Sequence, residues 1–232
     1  MQKMKQISQK YYSLYPDKLK HFYIEFKPDI DQDVVEIGDH IYIKGEELGI
    51  HNIYEKCVKA IEYVNHNYEY EFMLRTNISS FMHLPNIFDF LETMPTHSFG
   101  GGFADPSSPA YPYPWIAGTG IFMSKDVAQI IANDKRYDHP NARWDDVFIT
   151  QVMIENGINI TNVVKELFLD RHDNDSSRKY SCLSLITGHY IEDFAFDPKH
   201  TLYFRVRNDD NREDVDIKYQ LYLLKLIYGI LI

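Results

Sequence analysis

The sequence predicts an α/β fold: a Rossmann-like, mixed but mostly parallel sheet with helices on both faces. Three observations carry this. Strand-like runs alternate with segments of helical period along most of the chain. One run, Tyr70 to Leu74, ends in a polar triplet, Arg75, Thr76 and Asn77. A glycine-rich run, Ala117 to Ser124, begins about forty residues later, and an acidic helix start, Asp145 and Asp146, closes the set. Polar groups at strand ends and helix starts mark where open α/β sheets bind ligands, because the strand ends leave a crevice with free backbone donors.

Each element has its own signal. Residues 1–20 read as a helix with Ile7, Tyr11, Leu14 and Leu19 on one side and Pro16 near its end. His21 to Phe26 reads as a short strand. Val34 to Ile37 and His40 to Ile43 read as two more, turning at Gly38 and Asp39. Asn52 can cap a helix whose apolar positions Ile53, Cys57, Ile61 and Val64 recur with helical period. After the strand Tyr70 to Leu74, Ser79 or Ser80 opens a helix lined by Leu84, Ile87, Phe88 and Leu91, with Pro85 tolerated in its first turn. Phe99 to Phe103 reads as a strand edge with little side chain. A proline- and aromatic-rich loop, Asp105 to Trp115, precedes the strand Ile116 to Met123. Ser124 caps a helix to Asn133. Asp145 caps the helix Val147 to Asn156, which Gly157 terminates in the left-handed position.

Composition excludes several classes. The 232 residues fit one domain able to bury a sizeable core. A formal charge of −10, with acidic runs at Asp29 to Asp33, Asp209–Asp210 and Glu213–Asp214 that read as solvated loops, argues against a nucleic-acid partner. No apolar run is long enough to cross a bilayer, and the N-terminus has no apolar signal segment. The two cysteines, Cys57 and Cys182, have unrelated neighbours and form neither a disulfide framework nor a metal cluster. The expectation is a soluble protein of a reducing compartment. None of the ten histidines stands at zinc-ligand spacing on a helix, and His172, His189 and His200 read as surface or loop residues. Residues 170–178 read as a surface loop able to act as a lid.

The polar constellations have competing readings. Arg75 can grip a diphosphate bidentately while Asn77 faces ribose or a cation; on the triplet alone, the plainer reading is that Arg75 pairs with an acidic neighbour while Thr76 and Asn77 begin a turn. Gly118, Thr119 and Gly120 let the backbone pass close to something bulky, a sugar ring or an equally plausible packed helix. One of Asp145 and Asp146 suffices to cap the helix, which leaves the second able to act as a general base. Adjacent carboxylates cannot flank a scissile bond from two sides, which disfavours a glycosidase pair. Tyr111, Tyr113 and Trp115 alternate with prolines and form either a sugar-stacking wall or a loop pinned by its aromatics.

Together these residues resemble the β-1,3-galactosyltransferase and Fringe-like glycosyltransferases (family 31), above all their short soluble relatives in large DNA viruses and bacteria. The resemblance runs from about Ile43 to Ile158, with a weaker stretch at Leu202 to Tyr228. The short relatives often carry an Arg-Thr-Asn-Leu-Ser-Ser-Phe segment; here Arg75, Thr76, Asn77, Ile78, Ser79, Ser80 and Phe81 stand in that order. Tyr113 to Ser124 is similar to the family's acceptor strand, and Trp144, Asp145, Asp146 and Val147 to its acidic Glu/Asp-Asp-Val segment.

The resemblance implies a GT-A-like single domain over 1–232, with a C-terminal strand and helix in 201–232 packed on it. It implies an inverting hexosyl- or pentosyltransferase that moves a sugar from a nucleotide sugar, a UDP-sugar first, to a glycan or other hydroxyl acceptor. Asp146 would be the base beside Asp145. Arg75, Thr76 and Asn77 would meet the nucleotide sugar, and Tyr113, Trp115, Gly118, Thr119 and Gly120 the acceptor or sugar. Cytoplasm is the expected location, of the host or in the virion if the chain is viral. The alternative is a catalytically silent relative that binds glycans or partners.

Two departures stand out. The family's Mn²⁺- or Mg²⁺-binding carboxylates are absent from residues 75–77, where Asn77 would be a neutral and weak ligand at most, and Tyr203 stands where the family commonly offers a histidine. The chain also starts at what corresponds to the helix after the family's first strand. Either the start is truncated, another segment replaces it, or the nucleotide site is degenerate.

Overall fold

The computed structural model describes residues 1–103, 114–162, 167–169, 201–206 and 212–231. The chain is mixed α/β, and its sheets combine parallel and antiparallel pairs. The contacts gather into two compact units. One comprises Met1–Leu19, Thr76–Thr93 and Val164–Ile232, the other Lys20–Arg75 and Met94–Val163.

The unit containing Lys20–Arg75 and Met94–Val163 begins with β1 (Tyr23–Lys27), β2 (Val34–Ile37) and β3 (His40–Lys44), in the order β1-β3-β2. Gly38, at φ +64°, makes the expected turn. Ile41 and Ile43 alternate inward and pack with Phe22, Ile24 and Phe26 against Ala60 of α2 (Ile53–Asn67). The buried face of α2 is Tyr54, Val58 and Ile61, one position round from the expected Cys57 stripe; Cys57 is half-buried. Asn52 precedes α2 without a side-chain cap, since its amide instead bridges Leu48 N–H and the Glu46 carbonyl.

The second sheet of this unit runs β4-β7-β6-β8: β4 (Phe72–Arg75), β7 (Ile116–Ser124), β6 (Phe99–Phe103) and β8 (Ile160–Asn162). It is mixed rather than mostly parallel, with β4–β7 and β6–β7 antiparallel and β6–β8 parallel. Residues 104–115 join β6 to β7, at the lower limit of length for the crossover that a parallel pair needs. Two expectations change here. The strand leading to the polar triplet is at the edge of the sheet among the described residues, not central, and β6 is interior. The glycines of β6 serve that position: a Cβ on Gly101 would run into the Gly120 carbonyl and the Ile116 side chain. β7 is buried almost throughout because α4 (Lys125–Asn133) and α5 (Asp145–Glu155) cover it with Val127, Ile131, Phe148, Ile149 and Val152. α5 ends as expected: Gly157 at φ +70° donates to the Ile154 carbonyl, and Ile158 N–H to that of Met153.

In the other unit, α1 is Gln2–Tyr12, shorter than the expected 1–20, and buries Met4, Ile7 and Tyr11 at helical spacing. Leu14 is exposed. The residues after Asn77 do not open a helix. Ser80–Met82 is β5, paired antiparallel with β10 (Tyr203–Val206), which also pairs parallel with β9 (Leu167–Leu169). The helix α3 starts only at Leu84 and runs to Thr93, with Pro85 in its first turn. A π-helical turn, Arg212–Asp216, leads into α6 (Ile217–Tyr228). Tyr11 stacks on Tyr228 and lies against Phe81, tying α1, α6 and β5 together.

Candidate functional site

The acidic segment is where the sequence-predicted residues converge. Arg75 is the last residue of β4, and its guanidinium reaches past the β4–β7 rungs. Nη1 donates to the Gly118 carbonyl and Nη2 to the Asp145 carboxylate in an ion pair. Gly118 is gripped on both sides, because its N–H donates to Asp146 Oδ2 at 2.9 Å. A Cβ there would lie 2.5 Å from Arg75 Nη1 and 3.2 Å from Asp146 Oδ2. The bare backbone at Gly118 is therefore filled from within, by the start of α5 and the arginine.

The two aspartates divide their tasks differently from the sequence expectation. Asp145 does not cap α5; it is the first helical residue after Trp144, is buried, and faces Arg75. Asp146 holds the helix-start amide, accepting Val147 N–H on Oδ1 at 2.9 Å while Oδ2 takes Gly118 N–H. Asp146 is half-buried.

Burial raises the Asp146 carboxyl above its ordinary value, and the neighbouring Asp145 charge adds to that; Arg75 and the two amides pull the other way. Burial alone would lower Arg75, yet Asp145, with Cys57 and Asp146 behind it, holds the guanidinium above its usual value. Burial also pushes the Cys57 thiol up to about 12, against the opposing effect of Arg75.

Thr150 is a participant that the sequence reading missed. Its hydroxyl donates to the Asp146 carbonyl at 2.9 Å and accepts Ile116 N–H at 3.1 Å, stitching α5 to the start of β7. The available signal was a threonine one turn after Asp146, directly following the apolar run Val147 to Ile149; the structure shows it fully buried.

The other expected residues are placed as follows. Asn77 lies in the turn before β5, where its Oδ1 accepts the Ser79 and Ser80 hydroxyls at 2.9 and 3.0 Å. Thr76 is half-buried, Thr119 and Gly120 are buried within β7, and Trp115 is half-buried before β7. Residues 105–113 of the aromatic loop, with Tyr111 and Tyr113, residues 170–178, Cys182, His172, His189, His200 and Asp209–Asp210 lie outside the described residues. Tyr203 is fully buried in β10.

None of residues 75–77 carries a carboxylate. They offer a guanidinium, a hydroxyl and an amide oxygen already taken by two serines. Among the described residues no three His, Cys, Asp or Glu side chains gather where they could hold a metal ion. A cavity of about 420 Å³ lined by Pro114, Ile154, Gly157, Ile158, Asn159 and Ile160 lies at the C-terminal end of α5. Asp146 is at the opposite end of this 11-residue helix, roughly 16 Å long at 1.5 Å per residue, so that cavity is not the acidic site. Among the described residues no helix is long and apolar enough to cross a membrane. No protein-family model and no curated protein matches the chain.

Proposed function

We propose that this chain is an inverting glycosyltransferase of GT-A-like fold, moving a sugar from a nucleotide-sugar donor to a hydroxyl acceptor with Asp146 as general base. One observation carries the reading. The Asp146 carboxylate is half-buried and fixed by two backbone amides at 2.9 Å, and burial beside Asp145 makes it a stronger base than a solvated aspartate.

In the proposed reaction the acceptor oxygen attacks the anomeric carbon from the face opposite the nucleoside diphosphate. Its proton passes to Asp146 as the new C–O bond forms. The bond to the diphosphate breaks, its electron pair leaves with the diphosphate, and the anomeric configuration inverts. The half-buried setting supports proton transfer because a carboxylate shielded from water accepts a proton more readily. Charge on the departing diphosphate must be met by cationic or hydrogen-bonding groups, and residues 75–77 bring no carboxylate to hold a metal there.

The second reading, a silent glycosyltransferase-like module that binds glycans or partners, is favoured by Arg75. Its guanidinium is engaged by Asp145 and the Gly118 carbonyl rather than open to a diphosphate. A calorimetric screen of nucleotide sugars with and without Mn²⁺, followed by product analysis with simple sugar acceptors, separates the two. Donor binding that needs no added metal, with transfer and inversion, supports the enzyme. Failure to bind any nucleotide sugar hands the chain to the binding-module reading.

A further inference from the structure

We propose that Arg75 is the positioning residue of the acidic site: through Asp145 and the Gly118 carbonyl it sets where the Asp146 carboxylate sits and what field it feels. This rests on the reading of Asp146 as the base. The expectation it replaces is Arg75 as a diphosphate ligand.

The geometry is a closed loop of four groups. Arg75 Nη2 binds Asp145; Asp145 and Asp146 are consecutive in α5; Asp146 Oδ2 binds Gly118 N–H; and the Gly118 carbonyl returns to Arg75 Nη1. Both backbone groups of one glycine are therefore used, one by the guanidinium and one by the base. A side chain at Gly118 would collide with Arg75 and press on Asp146, so the loop closes only around a bare Cα.

The charges in this loop are unequal. Two carboxylates adjoin one guanidinium, so the trio carries one net negative charge. Among the described residues, the titratable groups acting most on Asp146 are Asp145 from its own helix and Arg75 from β4, while the Cys57 thiol of α2 acts on Arg75. From β7 the Gly118 amide donates to Asp146. Without Arg75 the two carboxylates face each other uncompensated, and each makes the other harder to ionise. Asp146 would then hold its proton at the pH where a base must be free to accept one. Arg75 thus holds the Asp145 side chain turned aside and leaves Asp146 available.

The test is the carbon NMR titration of the Asp146 carboxyl in the full chain, assigned by its loss in Asp146→Asn. Wild type is compared with Arg75→Met, Arg75→Lys and the double variant Arg75→Met/Asp145→Asn. Arg75→Met moves the midpoint up by about one to three pH units. The double variant, which removes one charge of each sign, brings it back toward wild type, and Arg75→Lys keeps it below Arg75→Met. If Arg75→Met does not fold, Arg75→Gln removes the charge, keeps a donor and reads the same displacement. An unmoved midpoint in the folded charge-removing variant, or a double variant no nearer wild type than the single one, overturns the proposal. No substrate is present, so a wild type that transfers no sugar counts against the glycosyltransferase reading alone.

Discussion

Arg75 and Asp145, seventy positions apart in the chain, form an ion pair whose side chains are only 15% and 8% exposed. It joins the end of β4 to the start of α5. Removing one member of such a pair leaves an uncompensated buried charge, which costs about 3–5 kcal/mol. Arg75→Met and Asp145→Asn are each expected to destabilise the protein by roughly that much, somewhat less for Asn, which keeps a hydrogen-bonding group. The double variant should cost less than their sum. Chemical denaturation of the four proteins measures this, and strictly additive losses would show that the pair is not coupled.

Gly118→Ala tests the close approach. The added methyl would meet Arg75 Nη1 at 2.5 Å and Asp146 at 3.2 to 3.3 Å. Overpacking of this kind costs about 1–3 kcal/mol, and here it also pushes the guanidinium off its partners. Thermal unfolding should report a lower Tm for Gly118→Ala. Gly157→Ala is the control, since nothing lies within 4 Å of its Cβ and only the strain of its φ of +70° counts against it. An unchanged Tm in Gly118→Ala would mean that the contact is loose.

How much of this was legible in the sequence depends on whether the signal was local. The helix from Lys125 to Asn133, the stop at Gly157 and the turn at Gly38 follow from helical period and left-handed backbone rules, which act within a few residues. The expected Ser124 cap is not made, because its hydroxyl is engaged by Ser98 N–H and Asp126. Ser80 to Met82 misled, because serines before an apolar run signal a helix start, whereas pairing with β10, more than a hundred residues away, makes a strand. The edge position of β4 and the interior position of β6 are likewise set by distant pairing. Arg75, Gly118, Asp145 and Asp146 were all singled out from sequence, but their partners were not. That Asp145 serves Arg75 and Asp146 holds the helix amide depends on how the end of β4 meets the start of α5, which no local rule encodes.

Stability should depend on pH with two opposite signs. The Asp146 carboxyl is raised above 3.8 in the folded protein. Its contribution is therefore full below the unfolded value and is lost as pH rises through the raised one. Asp134 and Glu155 are lowered. For Asp134 burial opposes the shift and Arg136 prevails; for Glu155 the hydrogen bond from Gln151 leads, with Arg136 adding to it. Their contributions are present above the ordinary carboxylate range and vanish as pH falls through the lowered values. Denaturation across acidic to neutral pH should show wild type losing stability relative to Asp146→Asn as pH rises. Arg136→Met should lose its deficit to wild type as pH falls. Reversal of either trend would contradict the assignment.

Cys57 should be unreactive in the folded protein, since burial pushes its thiol up to about 12 and a thiolate is the reacting species. Iodoacetamide at mildly alkaline pH, read by peptide mass spectrometry, should leave Cys57 unmodified until denaturant is added. Rapid labelling of the native chain would show that the packing around Arg75 and Cys57 opens readily.

The most direct test of the account is the turnover of Asp146→Asn with a nucleotide-sugar donor that the wild type is shown to use. Asparagine keeps the shape and part of the hydrogen bonding to Gly118 and Val147 but cannot accept the proton. If chemistry limits the rate, kcat should fall by roughly 10²–10⁴ while donor Kd stays near the wild-type value. Near-full turnover in Asp146→Asn would contradict the assignment of the base, and with it the central claim.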